Sequence, residues 1–314
     1  MADMVFSGVT FSGGYSITLP PPPSYKAIFG YGYTGQSGAA VVSITNLVSI
    51  TGVVATNTTG VGTARYALAA ATYGTDKGIF AYGSNGGPTN LVSNTGVVAA
   101  DVTRVGTSKT SLAAAGYGTD KAIFGFGSYV AETNLVSNTG IVATDTTGVG
   151  TARGGLAAAS YGTDKAIFGY GQLGSGSGFD ATAITNLVSN TGVVASDTTG
   201  VGTARHGVAS ASYGSSGQAI FGYGYNRGAS IFTAVTNLVS NTGVVATNTT
   251  GVGTARYNLA AAGYGIGLAI FGYGWNGGDL SITNLVSNTG VVASDTTGVG
   301  TARSELAAAS YGLS

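Results

Sequence analysis

Cysteine is absent from the 314 residues, which excludes disulfides, thiol nucleophiles and thiolate metal sites. Charge is scarce: 8% of residues are charged, and 12 basic side chains balance 12 acidic ones. No general attraction to nucleic acid or to an anionic membrane follows from that balance. No uninterrupted apolar run reaches the roughly 18 residues of a membrane-spanning helix, so membrane insertion is not expected. The opening MADMVFSGVTFSGG lacks a basic region followed by an apolar core, so no secretory signal is expected. Such a chain is expected inside a cell, or leaving it by another route such as lysis or a virion.

What is present is glycine and repetition. The 55 glycines fall at fixed places in a long period, with neither the three-residue rule of collagen nor the shapelessness of a linker. The isoleucine of an AIFGYG-like phrase recurs at Ile28, Ile79, Ile123, Ile167, Ile220 and Ile270, at intervals of 51, 44, 44, 53 and 50 residues. Between each FGYG-like end and the following Thr-Asn lies an insert of 12, 5, 5, 13, 11 or 8 residues. Setting the inserts aside leaves a constant framework of 39 or 40 residues, so length variation is concentrated in one loop.

Each copy reads as four short strands: LAAASYG, KAIFGYG, TNLVSNTG and VVATDTTG, with VGTAR leading into the next copy. Alternation along the second strand sends Ala166, Phe168 and Tyr170 one way and Ile167, Gly169 and Gly171 the other, and nothing has helical period. GTDK has the composition of a tight hairpin turn. Four-stranded units of this length repeated around an axis predict an all-β, six-bladed β-propeller of antiparallel blades. Small residues in the first strand suit the crowded axis. Large rings opposite glycines suit stacking of one blade on the next. The first KAIFGYG has no such strand before it and the last, SELAAASYG, has no second strand after it. Pairing the C-terminal strand with the N-terminal blade therefore closes the ring and removes exposed edges. The domain reading is an arm over residues 1–24, with a stiff proline-rich spacer in SITLPPPPSY, and a propeller over residues 25–314.

The order of Arg, small apolar strand, IFGYG, Asn-led strand and Thr/Gly run resembles the kelch repeat, over Lys26 to Gly312. In the kelch pattern a glycine pair ends the second strand; here an aromatic residue splits it, as in Gly30-Tyr31-Gly32, and the third-strand Tyr and fourth-strand Trp are missing. The resemblance implies the propeller architecture and no particular partner. The near-verbatim, Gly/Thr-rich copies also resemble kelch-like repeat proteins of bacteriophage virion appendages.

Catalytic and metal-binding machinery is not expected, nor any cofactor. The single histidine, His206, has no paired nucleophile and reads as an incidental surface or groove residue. Asp76, Asp120 and Asp164 read as turn residues. Asp145, Asp197 and Asp295 alternate with Asn57 and Asn248, which favours a turn role over calcium. The Gly-rich phrases lack the lysine and helix of a phosphate loop. Arg65, Lys109, Arg153, Arg205, Arg256 and Arg303 recur before each first strand. They either tie down carbonyls of a neighbouring loop or form a basic ring at a channel mouth, suited to an anionic group.

The inserts are the main functional pointer, because loops presented from one face of a scaffold commonly build binding sites. The candidate ligand-binding residues are Tyr33, Tyr129, Phe179, Asp180, Tyr225, Asn226, Arg227, Phe232, Trp275 and Asp279. Aromatic faces beside amides and carboxylates suit sugars or protein surfaces; neutral drift in tolerant loops is the plain alternative. The expected function is a non-enzymatic phage virion or appendage protein that recognises a host-surface glycan or protein. The alternative is an architectural decoration docking on other virion structural proteins. In both, the chain is assembled in the host cytoplasm and resides in the virion, with no nucleic-acid partner.

Overall fold

The structure, a computed structural model, describes residues 9–10, 16–17, 25–35, 40–174 and 180–312. The proline run and Phe179 lie outside the described residues. The fold is all-β, with no helix among the described residues. Six three-stranded antiparallel sheets carry it, numbered I to VI in the order of their middle strands. The middle strands are Lys26–Gly30, Lys77–Ala81, Lys121–Gly125, Lys165–Gly169, Gln218–Gly222 and Leu268–Gly272. Five sheets are built from consecutive chain. Sheet I is not: its inner strand, Ala307–Tyr311, comes from the C-terminus and pairs with Lys26–Gly30, Ala307 opposite Gly30 and Tyr311 opposite Lys26.

The inner strands are made of Ala, Ser, Thr and Gly up to a closing Tyr because they lie against one another. Ala307–Tyr311 neighbours both Ala260–Tyr264 of sheet VI and Ala69–Tyr73 of sheet II. Two series of backbone hydrogen bonds run across them. Where each inner strand is entered, the amides of Ala67, Ser111, Gly155, Gly207, Asn258 and Glu305 each donate to the carbonyl of the preceding member, at 2.8–2.9 Å, and Ala67 donates to Glu305. At the opposite end, Gly74, Gly118, Gly162, Gly214, Gly265 and Gly312 donate to carbonyls of the next sheet, at 2.7–2.8 Å. The first series holds Ala67, Ser111, Asn258 and Glu305 at φ of 53–54°, a left-handed conformation that non-glycine residues adopt at a cost.

Packing between sheets follows the glycines. A Cβ built on Gly30, Gly125, Gly169, Gly222 or Gly272 would lie 2.7–2.8 Å from Cζ of the next sheet's Phe80, Phe168, Phe221, Phe271 or Phe29. Each phenyl ring thus occupies a hollow that only glycine leaves, as the alternation of Phe168 with Gly169 implies. The expectation that Tyr170 points with Phe168 is corrected, because its φ of 64° turns the ring to the Gly169 side, against Phe221. The Tyr or Phe after that glycine meets the same phenyl edge-on, with centroids 5.1–5.2 Å apart in five interfaces. Such pairs add about 1 kcal/mol each beyond the area they bury.

The fourth segment of each copy is not a strand of the sheet. It joins the outer strand at isolated bridges, Val188 to Val194 and Thr185 to Thr198 in sheet IV. Ala195, Ser196 and Asp197 therefore span the same stretch as Asn186 and Leu187, a bulge that interrupts the ladder. The cause is the buried asparagine of TNLV. In all six copies (Asn46, Asn90, Asn134, Asn186, Asn237 and Asn284) its Nδ2 donates to the fourth segment's Ala carbonyl, at 2.9–3.1 Å. It also donates to the following Asp or Asn Oδ1, at 2.8–3.1 Å. These side-chain bonds add to the backbone bonds that remain, such as Ala195 N to Leu187 O and Thr198 N to Thr185 O, both at 2.8 Å. The expectation of four-stranded units is corrected to three strands plus a bulged segment held at isolated bridges and by the asparagine.

Candidate functional site

The six basic residues form no exposed ring. Arg65, Arg153, Arg205, Arg256 and Arg303 are fully buried, and Lys109 is 1% exposed; each is wedged between two sheets. Arg205 shows the pattern shared with Arg153 and Arg256: Nε donates to Tyr223 O at 2.7 Å, Nη1 to Thr203 O at 3.0 Å and Nη2 to Asn237 Oδ1 at 2.7 Å. In Arg65 and Arg303, Nε and Nη1 donate to the equivalent carbonyls and Nη2 is buried without an acceptor. The Arg205 guanidinium stacks 4.3 Å from the centroid of Tyr170 in the preceding sheet. The channel-mouth reading is overturned by this burial: a delocalised fork that donates to the carbonyls of neighbouring loops and covers a ring belongs to the framework. Burial brings the Arg153 guanidinium down to about 10, with Asp197 pulling the other way, so it keeps its charge at neutral pH.

The aspartates of the DTTG phrase, and Asp101 at the equivalent place in ADVTR, have a comparable task. Asp101, Asp145, Asp197 and Asp295 accept from the backbone amide and hydroxyl of Thr63, Thr107, Thr151 and Thr254. Each pair clamps the segment entering a sheet to the segment leaving it. Where the copy holds asparagine the threonine hydroxyl reverses its role: Asn57 Nδ2 donates to Thr301 Oγ1 and Asn248 Nδ2 to Thr203 Oγ1, both at 2.7 Å. Burial alone would raise the Asp197 carboxyl, but hydrogen bonds from Thr151 and Asn186 outweigh it and hold it below the ordinary range.

The inserts begin on the side where the inner strands are entered. Their first residues hydrogen-bond with the residue that follows each basic side chain: Tyr33 with Ser304, Ser84 with Tyr66, Ser128 with Thr110, Gln172 with Gly154, Tyr225 with His206 and Trp275 with Tyr257. This pairing brings Tyr225, Phe232 and Trp275 together, joined by two residues outside the inserts. Phe232 stacks on Tyr257 at 5.5 Å and 18°, and meets Trp275 edge-on at 5.4 Å. Tyr225 lies 5.3 Å from Phe232, and His206 lies 5.6 Å from Tyr225 and 6.0 Å from Tyr257. All five rings are half-buried. Burial, reinforced by Arg227, pushes the His206 imidazole down to about 4, so at neutral pH it is an uncharged ring among rings.

The remaining candidates are dispersed. Tyr33 packs edge-on against Tyr66 at 5.6 Å. Asn226 Oδ1 and Arg227 O accept from Ala229 and Ser230 and close the turn between Tyr225–Asn226 and Ile231–Phe232. Tyr129 accepts a hydrogen bond from Gln172 Nε2. Asp180 is exposed in a short hairpin opposite Leu173. Asp279 bridges the sixth insert to the first by accepting from the Gly35 amide.

Beside the aromatic cluster a cavity of ≈ 260 Å³ opens, lined by inner-strand residues of all six sheets and by Gln172, His206, Tyr257, Asn258 and Glu305. Sequence reasoning missed Tyr257, Asn258 and Glu305 and treated His206 as incidental. The signal was present: the two positions after each basic residue read Tyr-Ala, Thr-Ser, Gly-Gly, His-Gly, Tyr-Asn and Ser-Glu, varying in an otherwise repeated framework. Comparison with protein-family models and with curated proteins finds no match.

Proposed function

We propose that the chain is a closed six-bladed β-propeller that works without catalysis as a recognition component of a bacteriophage particle, binding a host-surface glycan at the Tyr225–Phe232–Tyr257–Trp275 cluster. The propeller reading is supported by the six equivalent sheets, by the pairing of Ala307–Tyr311 with Lys26–Gly30, and by the two series of amide bonds that return to their starting sheet. The particle, with its assembly in the host cytoplasm and its other structural proteins as partners, rests on the resemblance of the repeats to phage appendage proteins.

One observation carries the glycan reading. Two inserts and two framework positions converge on a half-buried aromatic surface beside a cavity edged by Asn258 and Glu305. The C–H faces of a sugar suit aromatic rings, while its hydroxyls suit amide and carboxylate partners at the margin. The test is a glycan array probed with the full chain, followed by titration of the best ligand monitored through the emission of Trp275, the single tryptophan. Binding weakened about tenfold by Phe232→Ala or Tyr257→Ala, and unaffected by Tyr129→Ala, supports the reading. An array without hits, or loss of affinity only with Tyr129→Ala, ends it.

A second reading, an architectural subunit, is favoured by a separate feature. The fourth segments expose Val53, Val97, Ile141, Val193, Val244 and Val291 at 65–69%, one apolar side chain per copy. Capture of purified particle proteins by the chain, abolished by Val193→Asp with Val244→Asp, supports docking on structural subunits.

A further inference from the structure

We infer that the mouth of the central cavity, where Glu305 and Tyr257 line the wall and the sixth insert brings Trp275 and Asp279 near, is a site for a protonated amine, so that the recognised glycan carries an unacetylated amino sugar. The inference rests on the glycan reading above and names the chemistry of its ligand.

Glu305 is not needed by the framework. At the equivalent place the other copies hold Ala67, Ser111, Gly155, Gly207 and Asn258, and every one makes the same backbone hydrogen bonds. At φ of 53° glycine would be the least strained choice, yet this copy carries a long acid that lines the cavity. Its side chain accepts one bond, from Asn258 Nδ2 at 3.3 Å. Asp279, bridged to Trp275 in the sixth insert, stands outside the cavity wall but near enough to act on the charge of Glu305. One of its carboxylate oxygens accepts from Gly35, and the other, Oδ1, is buried with no partner.

No lysine or arginine forms an ion pair with either acid among the described residues. Burial, with Asp279 adding to it, raises the Glu305 carboxyl above its ordinary range, which is the state of an acid awaiting a counter-charge. The framework cations cannot supply one, because Arg256 and Arg303 are committed between sheets. A primary ammonium offers three donors to this pair and a charge to the adjacent ring faces. An acetamide or a hydroxyl in its place leaves the carboxylates without a cation.

The deciding experiment titrates the full chain, through Trp275 emission, with a tetrasaccharide of glucosamine and with its fully N-acetylated counterpart. The expected result is at least about tenfold tighter binding of the free amine, weakened by added salt. Glu305→Gln brings the two ligands to near-equal affinity, with an unchanged or higher midpoint of thermal unfolding. Asp279→Asn, which keeps an acceptor for Gly35, reduces the same preference. Equal affinity for the two tetrasaccharides, or a preference that survives both substitutions, overturns the amine inference and leaves glycan binding at the aromatic cluster standing. Failure of the chain to bind the glucosamine tetrasaccharide while binding neutral array glycans also overturns it. An array with no ligand at all refutes the glycan reading and the amine inference with it.

Discussion

The phenyl ring of Phe29 fills the hollow over Gly272: a Cβ on that glycine would lie 2.8 Å from Cζ and 3.1 Å from Cε1 of the ring. The contact joins the first sheet to the last and reproduces the packing seen between consecutive sheets. Sheet II holds the natural variant, since Ala81 stands where the other middle strands end in glycine. There the rings of Tyr82 and Phe124 are 5.5 Å apart, against 5.2 Å for Phe29 and Tyr273. Gly272→Ala is therefore expected to fold with a loss of about 1 kcal/mol, and Gly272→Leu to lose several times more by overpacking, read from chemical unfolding. Equal stability of Gly272→Leu and the parent chain would remove the glycine hollow from the account.

A third interaction between inner strands is incomplete, and completing it is expected to stabilise the fold. Thr72, Ser160, Ser212 and Ser310 each donate a hydroxyl to the neighbouring strand's carbonyl, at 2.8–2.9 Å. Gly116 and Gly263 occupy the equivalent positions and have no hydroxyl. A Cβ on Gly263 would sit 3.3 Å from Ser212 O, within reach of the missing bond after a small adjustment. Gly263→Ser gains a hydrogen bond and loses unfolded-state freedom, together about 1 kcal/mol. A rise in the thermal midpoint checks it, with Gly263→Ala separating the backbone effect from the bond.

Lys109 stands where five copies hold arginine. Its ammonium, with a fully buried side chain, donates to Asn134 Oδ1 at 2.8 Å and Asp145 Oδ1 at 3.3 Å. Burial lowers the Lys109 pKa against the pull of Asp145. Asp145→Asn removes its nearest counter-charge and is expected to lose about 2 kcal/mol. Asp197→Asn mimics the natural Asn248 arrangement and is expected to lose less than about 1 kcal/mol. Lys109→Arg restores the fork of the other copies and is expected to match or exceed the parent in stability. Chemical unfolding of the three variants ranks them.

The same carboxylates set the acid response. In Asp101, Asp145, Asp197 and Asp295 burial works upward, but hydrogen bonds from threonine and asparagine prevail and depress the pKa. A depressed carboxyl stabilises the fold above its unfolded value of about 3.9, and that stability is lost as pH falls through the folded value. Glu305 has the opposite sign. Its raised pKa contributes stability below about 4.3 that is lost as pH rises through the folded value. Unfolding free energies measured across acid pH are expected to fall less steeply for Asp197→Asn at the acid end. Glu305→Gln is expected to remove a loss seen on the rising side.

The repeat, the all-β class and the strand shared between the chain ends were legible because glycine, alanine and aromatic positions recur at fixed spacing and each has one packing role. The fourth segment was not, since VVATDTTG has strand composition and only Asn186 and its equivalents, by bonding sideways, divert it from the ladder. The basic residues offered two readings, a tie to neighbouring carbonyls or a ring at a channel mouth, and the choice was not legible: the burial that sets Arg205 Nε on Tyr223 O comes from contacts between sheets that no pattern reveals. Within the inserts, Tyr225, Phe232 and Trp275 were identified by residue type. Tyr257 and Glu305 were not, because their place beside the inserts comes from pairings such as Trp275 with Tyr257, distant in the chain and close only after folding.

The most direct measurement is a density map of crystals grown with the strongest array ligand. The account predicts sugar density against Phe232, Tyr257 and Trp275, with its nearest polar contacts at Asn258 and Glu305. Ligand held at the hairpin end near Thr75 and Lys121, or on the outer valines with the aromatic cluster bare, would contradict it.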